Sequence, residues 1–270
     1  MDEKVAGTLM IIGGAEDKEG DCIILLKLVE LSKSREGNII IMTVATEYPE
    51  EIGAEYIDIF KRLGSDGATA IHVYSRHDAN NPQYGGLIEN ASCIFFTGGD
   101  QLRITSLIGG TPLERALFKA YKKGAIIAGT SAGASVMSET MIISGNDDDA
   151  PRKCTLKMAP GLGLLREVVI DQHFAQRGRI GRLLSGIAQN PHMLGIGIDE
   201  DTAIIISSNA EFHVIGSNAV TILDGTNIQL TNVSELKPDE ILAVTNIIMH
   251  VLPSGFSYDM KLRKPIAIRR

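Results

Sequence analysis

A serine between two glycines is the strongest chemical signal in the sequence. Ser131 lies in Gly-Thr-Ser-Ala-Gly at positions 129–133, after the apolar run 125–128 and before a stretch, 132–138, with helical composition. In a Gly-x-Ser-x-Gly elbow the serine occupies a tight turn from a strand to a helix, and the glycines leave room for that turn. The hydroxyl then faces the carboxyl ends of the strands, where open α/β sheets bind ligands. Ser131 is therefore the candidate nucleophile. The alternative is an ordinary turn that caps a helix.

A serine nucleophile needs a base, and one of the six histidines lies where a base is required. His173 follows the apolar run 168–170, so it also lies at the carboxyl end of a predicted strand. If that strand and the strand before Ser131 are parallel, both side chains lie at the same edge of the sheet. The other histidines lie in strand patterns or polar loops, at positions 72, 77, 192, 213 and 250.

A third residue, a carboxylate, is needed to hold the histidine in the correct tautomer. Three candidates follow one another, Asp199, Glu200 and Asp201. Alternation along a strand would separate Glu200 from both aspartates, but the residues alone leave the choice open. The order serine, histidine, acid differs from that of the α/β-hydrolases, in which the acid precedes the histidine, and from the protease families in which the serine comes last.

Backbone amides near Ser131 could stabilise an oxyanion. Ala132 begins the predicted helix, so its N–H lies at the positive end of a helix. Gly98 and Gly99 follow the apolar run 92–96 and would let the backbone approach a substrate closely. One of their amides could complete an oxyanion hole with Ala132. A plain turn is the commoner meaning of such a glycine pair.

Charged residues cluster after the candidate base. Arg177, Arg179 and Arg182 have near-helical spacing, which is typical either of a solvated basic face or of a site that binds carboxylates. The aspartates at 147–149 are interpreted as a solvated loop that could attract a cationic substrate. Gly-x-Gly at 161–163 and at 195–197 lacks the third glycine of a dinucleotide-binding loop, so no cofactor is predicted.

Alternating strands and helices must position these residues. We predict strands at 8–12, 38–44, 70–74, 92–96 and 125–128, with helices at 22–34, 49–63 and 111–123. Apolar strands separated by amphipathic helices indicate a parallel sheet covered on both faces. A strand at 167–171 and a helix at 174–189 follow. Strands at 203–206, 211–215 and 219–223 are predicted to form antiparallel hairpins. The simplest organisation is one domain over 1–270 with a C-terminal strand extension at about 203–270.

The composition excludes several classes of protein. With 44% hydrophobic and 22% charged residues, the chain of 270 residues is expected to fold into a globular domain. The formal net charge of -7 argues against nucleic acid or an anionic membrane as the partner. No apolar run reaches the roughly 20 residues of a membrane span, and residues 1–4 lack a signal-peptide pattern. Three cysteines with unrelated spacings predict no zinc site and no disulfide framework, so a cytoplasmic location is expected.

Five short segments recur in the order that is typical of one peptidase family. They are Ile-Gly-Gly-Ala-Glu-Asp-Lys at 12–18, Phe-Thr-Gly-Gly-Asp-Gln at 96–101, Gly-Thr-Ser-Ala-Gly-Ala-Ser at 129–135, Asp-Gln-His-Phe-Ala-Gln-Arg-Gly-Arg at 171–179, and Gly-Ile-Asp-Glu-Asp-Thr-Ala at 197–203. In these segments, from about residue 8 to 225, the chain resembles the cyanophycinases. They belong to the serine peptidase family that also contains the α-aspartyl dipeptidases.

The resemblance implies a three-layer α/β sandwich with a mostly parallel central sheet, similar to the flavodoxin-like class I glutamine amidotransferases. It implies a triad of Ser131, His173 and Glu200, a homodimer, and no metal or cofactor. The implied substrate is cyanophycin, a poly-aspartate with an arginine on each β-carboxyl, which is cleaved to β-Asp-Arg dipeptides. The residues implied to line the substrate site are Gln101, Asp171, Gln172, Arg177, Arg179 and Arg182.

Three alternatives remain open at this point. An aspartyl dipeptidase would act on short peptides, but the related dipeptidases tend to be shorter and to carry another residue where this chain has Thr130. A glutamine amidotransferase-like domain would carry a cysteine at the position of Ser131. A non-catalytic binding protein could keep the same fold, although intact serine, histidine and glutamate positions argue against it.

Overall fold

The computed structural model describes residues 7–147 and 150–266. Its strands are β1 (Thr8–Ile12), β2 (Ile39–Met42), β3 (Ala68–Ile71), β4 (Cys93–Phe96), β5 (Ile126–Thr130), β6 (Thr140–Ser144), β7 (Lys157–Pro160), β8 (Val168–Gln172), β9 (Leu194–Ile198), β10 (Thr202–Ile206), β11 (Glu211–Gly216), β12 (Ala219–Asp224), β13 (Ile248–Pro253), β14 (Ser257–Asp259) and β15 (Lys264–Ile266). The α-helices are α1 (Ile23–Ser32), α2 (Pro49–Arg62), α3 (Pro82–Glu89), α4 (Gln101–Ile108), α5 (Pro112–Lys122), α6 (Ala132–Ser135) and α7 (Ile180–Gln189).

The central sheet is mixed, with the order β15-β14-β11-β10-β1-β5-β4-β2-β3 over the described residues. Strands β1 to β5 are parallel to one another, and β10, β11, β14 and β15 extend the sheet in antiparallel fashion. Strands β2 and β4 are buried along their whole length, as expected for parallel strands covered on both faces. The predicted α/β class, with a parallel core and an antiparallel C-terminal part, is confirmed.

The side chains of β1 show how the layers are arranged. Met10 and Ile12 face a cluster that includes α1 and α2, while Leu9 and Ile11 face a cluster that includes α4, α5 and a second sheet. This alternation follows from the two-residue period of a strand. The sheet therefore lies between two apolar layers. Among the helices of the described residues, none has the length and apolar composition of a bilayer-spanning segment.

The second sheet was not predicted. Within the described residues it has the order β13-β12-β9-β8, with β8 parallel to β9 and the remaining pairs antiparallel. The prediction that 211–215 and 219–223 form a hairpin is therefore wrong, because β12 pairs with β9 and not with β11. Gly216, with φ of 105°, redirects the chain there, and a Cβ at this position would lie 2.3 Å from the carbonyl oxygen of Asp201.

Several boundaries also differ from the prediction. The helix expected at 174–189 begins only at Ile180, because Gly178 has a positive φ of 59° and residues 174–179 form turns. Strand β3 begins two residues before the expected strand and ends at Ile71. Helix α4 was missed, although Asp100 caps it by accepting a hydrogen bond from the Leu102 amide at 2.8 Å. The prediction also omitted α3, β6, β7, β9 and β13–β15.

Candidate active site

Ser131 lies in the turn between β5 and α6. Its backbone is strained, with φ of 53° and ψ of −109°, and its amide donates to the Ile12 carbonyl at 3.1 Å. The flanking glycines permit this turn. A Cβ at Gly129 would lie 2.3 Å from the Gly133 oxygen, and one at Gly133 would lie 2.4 Å from the Phe96 oxygen. The local sequence therefore forms a strand–turn–helix elbow with the serine at its apex.

His173 reaches Ser131 from the other sheet. The expectation that both residues follow parallel strands of one sheet is wrong, because β5 belongs to the central sheet and β8 to the second. The turn after β1 joins the two, since the His173 amide donates to the Gly13 carbonyl at 2.8 Å. His173 Nε2 lies 3.0 Å from Ser131 Oγ, within hydrogen-bonding distance.

Glu200 is the carboxylate nearest to the histidine in this arrangement. Its Oε1 lies 2.6 Å from His173 Nδ1. The neighbouring aspartates point elsewhere, since Asp199 accepts from the backbone amide of Ala175 at 3.0 Å and Asp201 accepts from other backbone and hydroxyl groups. Glu200 lies in the turn after β9, so strand alternation does not determine its direction. A continuous series of hydrogen bonds runs from Ser131 through His173 to Glu200.

The environment of His173 favours its neutral form. Burial of the ring lowers its pKa, the hydrogen bond to Glu200 opposes this shift, and the positive charge of Arg177 adds to the lowering. A carboxylate can only accept a hydrogen bond, so the contact with Glu200 assigns the ring proton to Nδ1. Nε2 is then left as an acceptor for the Ser131 hydroxyl. This is the state that a general base requires.

Backbone amides lie beside the serine hydroxyl. A Cβ at Gly98 would lie 3.5 Å from the Ser131 Cβ, so this glycine faces the serine directly. Gly99 has φ of 139°, and a Cβ there would lie 2.1 Å from the Ala45 oxygen. Among the described residues, the amides of Gly98, Gly99 and Ala132 have no acceptor, so they remain available to a ligand.

Arg179 and Arg182 do not form the solvated basic face that the sequence left open. Both are more than nine-tenths buried, and both contact the buried carboxylate of Asp171. Asp147 completes the pairing, with its Oδ1 2.8 Å from Arg179 Nε and 3.1 Å from Arg182 Nη1. Asp147 lies in an irregular segment and is exposed, as expected for a solvated loop, although its carboxylate also pairs with these arginines. Positions 148 and 149 lie outside the described residues.

The remaining predicted substrate residues differ in whether their side chains already have hydrogen-bond partners. Gln172 accepts a hydrogen bond from Arg179, and Gln101 donates from its amide to the Ile142 carbonyl at 2.8 Å, so both are committed to neighbouring groups. Arg177 is exposed, and no described residue accepts from its guanidinium. Of the three arginines, Arg177 is therefore the one that can meet an incoming carboxylate without breaking an existing ion pair.

A pocket that the sequence reasoning missed opens beside the serine. Its volume is about 270 Å³, and Ser131 and His173 contribute to its wall. The other residues that line it are Ala15, Glu16, Lys18, Thr46, Ile52, Tyr56, Gly98 and Thr130. In the sequence the segment 12–18 served only as one of the five motifs shared with the peptidase family, and none of its residues was predicted to line the site. A usable signal was present. An acidic residue follows β1, and β1 lies next to β5, the strand that precedes the serine.

The cysteines do not supply the nucleophile of an amidotransferase. Cys93 is fully buried in β4, and burial raises the pKa of its thiol. Cys22 is also buried and Cys154 is exposed, but none of the three lies at the elbow. The side chain at the apex of this turn is the hydroxyl of Ser131.

An α/β sandwich with a serine at a strand–helix turn, beside a histidine and a carboxylate, defines the class of serine hydrolases. Sequence comparison specifies the family within this class. The model of "Peptidase family S51" matches residues 9–215, and the chain belongs to this family. It is 37% identical over 268 residues to "Cyanophycinase" of Geminocystis herdmanii, covering 99% of this chain and 98% of the relative. It is also 37% identical to "Cyanophycinase" of Trichormus variabilis, covering 94% of this chain and 86% of the relative.

Solved structures share the fold. A peptidase from an acI-B1 Actinobacterium superposes with a TM-score of 0.72 at 22% identity, covering 95% of this chain and 98% of that one. A putative peptidase E from Listeria monocytogenes gives 0.51 at 15% identity, covering 78% and 99%. At these identities the similarity concerns the fold alone.

Proposed function

We propose that the protein is a serine-type exopeptidase that hydrolyses cyanophycin to β-Asp-Arg dipeptides, with Ser131, His173 and Glu200 as its catalytic triad. The observation that carries the proposal is the hydrogen-bond series from the Ser131 hydroxyl to the Glu200 carboxylate. The choice of substrate is supported by similarity to proteins named cyanophycinase over 99% of the chain.

Acylation begins when Ser131 Oγ attacks the carbonyl carbon of the scissile α-peptide bond. His173 Nε2 takes the hydroxyl proton, and Glu200 stabilises the resulting imidazolium through Nδ1. The amide of Ala132 and one from Gly98 or Gly99 donate to the oxyanion of the tetrahedral intermediate. When the intermediate collapses, the C–N bond breaks and His173 returns the proton to the leaving amine.

Deacylation repeats these steps with water as the nucleophile. His173 accepts a proton from water while the water oxygen attacks the ester carbonyl of the acyl-enzyme. The second tetrahedral intermediate collapses by breaking the bond to Ser131 Oγ, which recovers its proton from the imidazolium. The products are a free carboxylate and the regenerated enzyme. No further reactant is needed.

The charges around the site suit a substrate that carries both signs. Each repeat of cyanophycin has a guanidinium and a free carboxylate. We assign the carboxylate to Arg177, because its guanidinium is exposed and not engaged by other described residues. The other residues proposed for the substrate site already have partners: Arg179 donates to Gln172, Arg182 donates to Asp171, and Gln101 donates to the Ile142 carbonyl.

The test is release of β-Asp-Arg from insoluble cyanophycin, followed by mass spectrometry. Ser131→Ala should lower kcat by roughly 10⁴- to 10⁶-fold, because it removes the nucleophile of a triad. Ser135→Ala is the matched control, since Ser135 lies one turn further along the same helix and should keep wild-type activity. Residual activity of Ser131→Ala within tenfold of wild type would contradict the assignment.

The same assay separates the alternatives. A folded wild type that reacts with a fluorophosphonate at Ser131 but releases no dipeptide would retain the serine hydrolase and exclude the polymer as substrate. Short aspartyl peptides would then be tested, as for an aspartyl dipeptidase. Cleavage of either substrate would exclude a purely non-catalytic binding protein.

A cytoplasmic homodimer without nucleic-acid or membrane partners completes the proposal. The unpaired thiols of Cys22, Cys93 and Cys154 support a reducing compartment. Light scattering coupled to size-exclusion chromatography tests the dimer, for which a mass near twice 29.1 kDa is expected. A mass near 29 kDa at micromolar concentration would contradict it.

A further inference from the structure

Glu16 is a buried carboxylate in the wall of the pocket beside Ser131. Its relative exposure is only 5%, yet it contributes to the pocket surface together with the serine and His173. It follows β1 within the turn that also carries Gly13 and Gly14. The carboxylate accepts a hydrogen bond from Thr130, which directly precedes Ser131 in the chain. Because consecutive Cα atoms are only about 3.8 Å apart, Glu16 lies close to the proposed nucleophile.

The hydrogen bonds of Glu16 leave part of its acceptor capacity unused. Oε1 accepts from the Tyr56 hydroxyl at 2.5 Å, and Oε2 accepts from the Thr130 hydroxyl at 2.5 Å. An ionised carboxylate offers about four acceptor positions, so about two remain. Burial raises the pKa of Tyr56 well above its ordinary value, with the charge of Glu16 adding to the effect. Tyr56 therefore remains a hydrogen-bond donor.

The negative charge of Glu16 is not balanced by an ion pair. Within residues 7–147 and 150–266, no arginine, lysine or histidine forms a salt bridge with it. Lys18 lies at the same pocket, but its ammonium group pairs with Glu55 at 3.1 Å and lies over the Tyr56 ring. A buried carboxylate without a cationic partner is costly, and a cationic ligand would offset that cost.

We infer that Glu16 is a specificity-determining residue, which accepts hydrogen bonds from the guanidinium of the substrate arginine next to the scissile bond. The identity of the ligand rests on the proposed function. The planar guanidinium presents several donors to the remaining acceptor positions of one carboxylate. Arg177, which lies beyond His173 in sequence, would meet the carboxylate of the same repeat. The two charges of one substrate unit are thus recognised by two separate groups.

The experiment measures binding rather than turnover, so that it does not depend on cleavage of the polymer. In a Ser131→Ala background, isothermal titration compares β-Asp-Arg with β-Asp-citrulline, which replaces the guanidinium by a neutral urea. Glu16→Gln should weaken β-Asp-Arg binding by roughly 10- to 100-fold, since a hydrogen bond to a charged group is lost. Binding of β-Asp-citrulline should change by less than about threefold.

Two control variants separate recognition from local structure. Tyr56→Phe removes one hydroxyl from the carboxylate but leaves its charge, so the preference for arginine over citrulline should remain. Glu50→Gln alters another glutamate that accepts from a tyrosine hydroxyl, outside this pocket, and both affinities should be unchanged. Thermal unfolding of each variant checks the fold.

The inference is overturned by an equal loss of affinity for both dipeptides in Glu16→Gln, which would indicate a positioning role through Thr130. It is also overturned if Glu16→Gln does not weaken binding of β-Asp-Arg at all. The same holds if the protein with native Glu16 does not bind β-Asp-Arg, or does not bind it more tightly than β-Asp-citrulline. Cyanophycin hydrolysis by the wild type is measured separately. If the wild type does not hydrolyse cyanophycin but β-Asp-Arg still binds more tightly than β-Asp-citrulline, the proposed substrate is refuted. Glu16 then remains a guanidinium acceptor.

Discussion

Gly14 allows the imidazole of His173 to approach the Ser131 hydroxyl, and its replacement is the sharpest test of the proposed site. A Cβ at this position would lie 2.4 Å from Cε1 and 2.5 Å from Nε2 of His173. Ordinary contacts begin at 3.4 Å, so the ring would have to withdraw by about 1 Å. The distance from Nε2 to Ser131 Oγ, now 3.0 Å, would approach about 4 Å, beyond hydrogen-bonding range.

We therefore expect Gly14→Ala to lower kcat by roughly 10²- to 10⁴-fold. The lower figure corresponds to a misplacement of about 1 Å, and the upper one approaches the loss of a triad member. The assay is the initial rate of β-Asp-Arg release at saturating cyanophycin. Labelling of Ser131 by a fluorophosphonate should slow in parallel, because it depends on the same base.

Backbone strain has to be separated from the clash with the ring. Gly14 has φ of 97°, so alanine also costs about 1–2 kcal/mol in the backbone. Gly255 is the matched control, with φ of 90° and no atom within 4 Å of the added Cβ. Gly255→Ala should lose similar stability and keep its activity. If Gly14→Ala stays within tenfold of wild type, the contact between this glycine and the histidine does not govern the site.

Three further predictions concern the charged groups. Glu200→Gln should lower kcat by about 10⁴-fold in the dipeptide-release assay, because the tautomer of His173 is no longer enforced. A larger loss of kcat in Asp199→Asn or Asp201→Asn would mean that this aspartate, and not Glu200, is the third member of the triad. Because burial lowers the pKa of His173, the base stays neutral down to pH values below the usual 6.5 or so, and the acid limb of kcat/KM should lie there. Arg177→Gln removes a charge that lowers this pKa, so that limb should move to higher pH; an unchanged pH–rate profile would contradict this. Asp171→Asn leaves its buried arginine partners without their shared carboxylate, and urea unfolding followed by circular dichroism should reveal a loss of about 3 kcal/mol; a loss below about 1 kcal/mol would refute it.

The parallel core could be predicted because each strand has a local signature. The run at 92–96, for example, is apolar and bounded by polar residues, and the structure has β4 at Cys93–Phe96. The helix at Pro112–Lys122 was also predicted, with one extra residue at each end. Proline at its start and lysines at its end are the local signals that made this possible. Such elements can be predicted without knowing which other elements they pack against.

Pairing between distant elements could not be predicted in the same way. The apolar residues of β8 or β12 do not tell which sheet a strand joins, because that depends on turns such as the one at Gly216. The burial of Arg179 and Arg182 was equally hidden, since charge in a sequence suggests solvent until the compensating Asp171 is found nearby. Motif resemblance proposed Glu200, whereas the pattern of residues alone left three carboxylates open.

The turn at residues 12–14 also has a consequence for how activity appears during folding. The amides of Ser131, His173 and Asp201 donate to the carbonyls of Ile12, Gly13 and Gly14 respectively. These contacts join segments that are far apart along the chain, and such contacts form late because long loops must close first. A nascent chain that has already formed β5 and its serine elbow still lacks a base. If Ser131, His173 and Glu200 act as proposed, the site is complete only after the N-terminal strand and the second sheet have met, and we expect partly folded chains to be inactive.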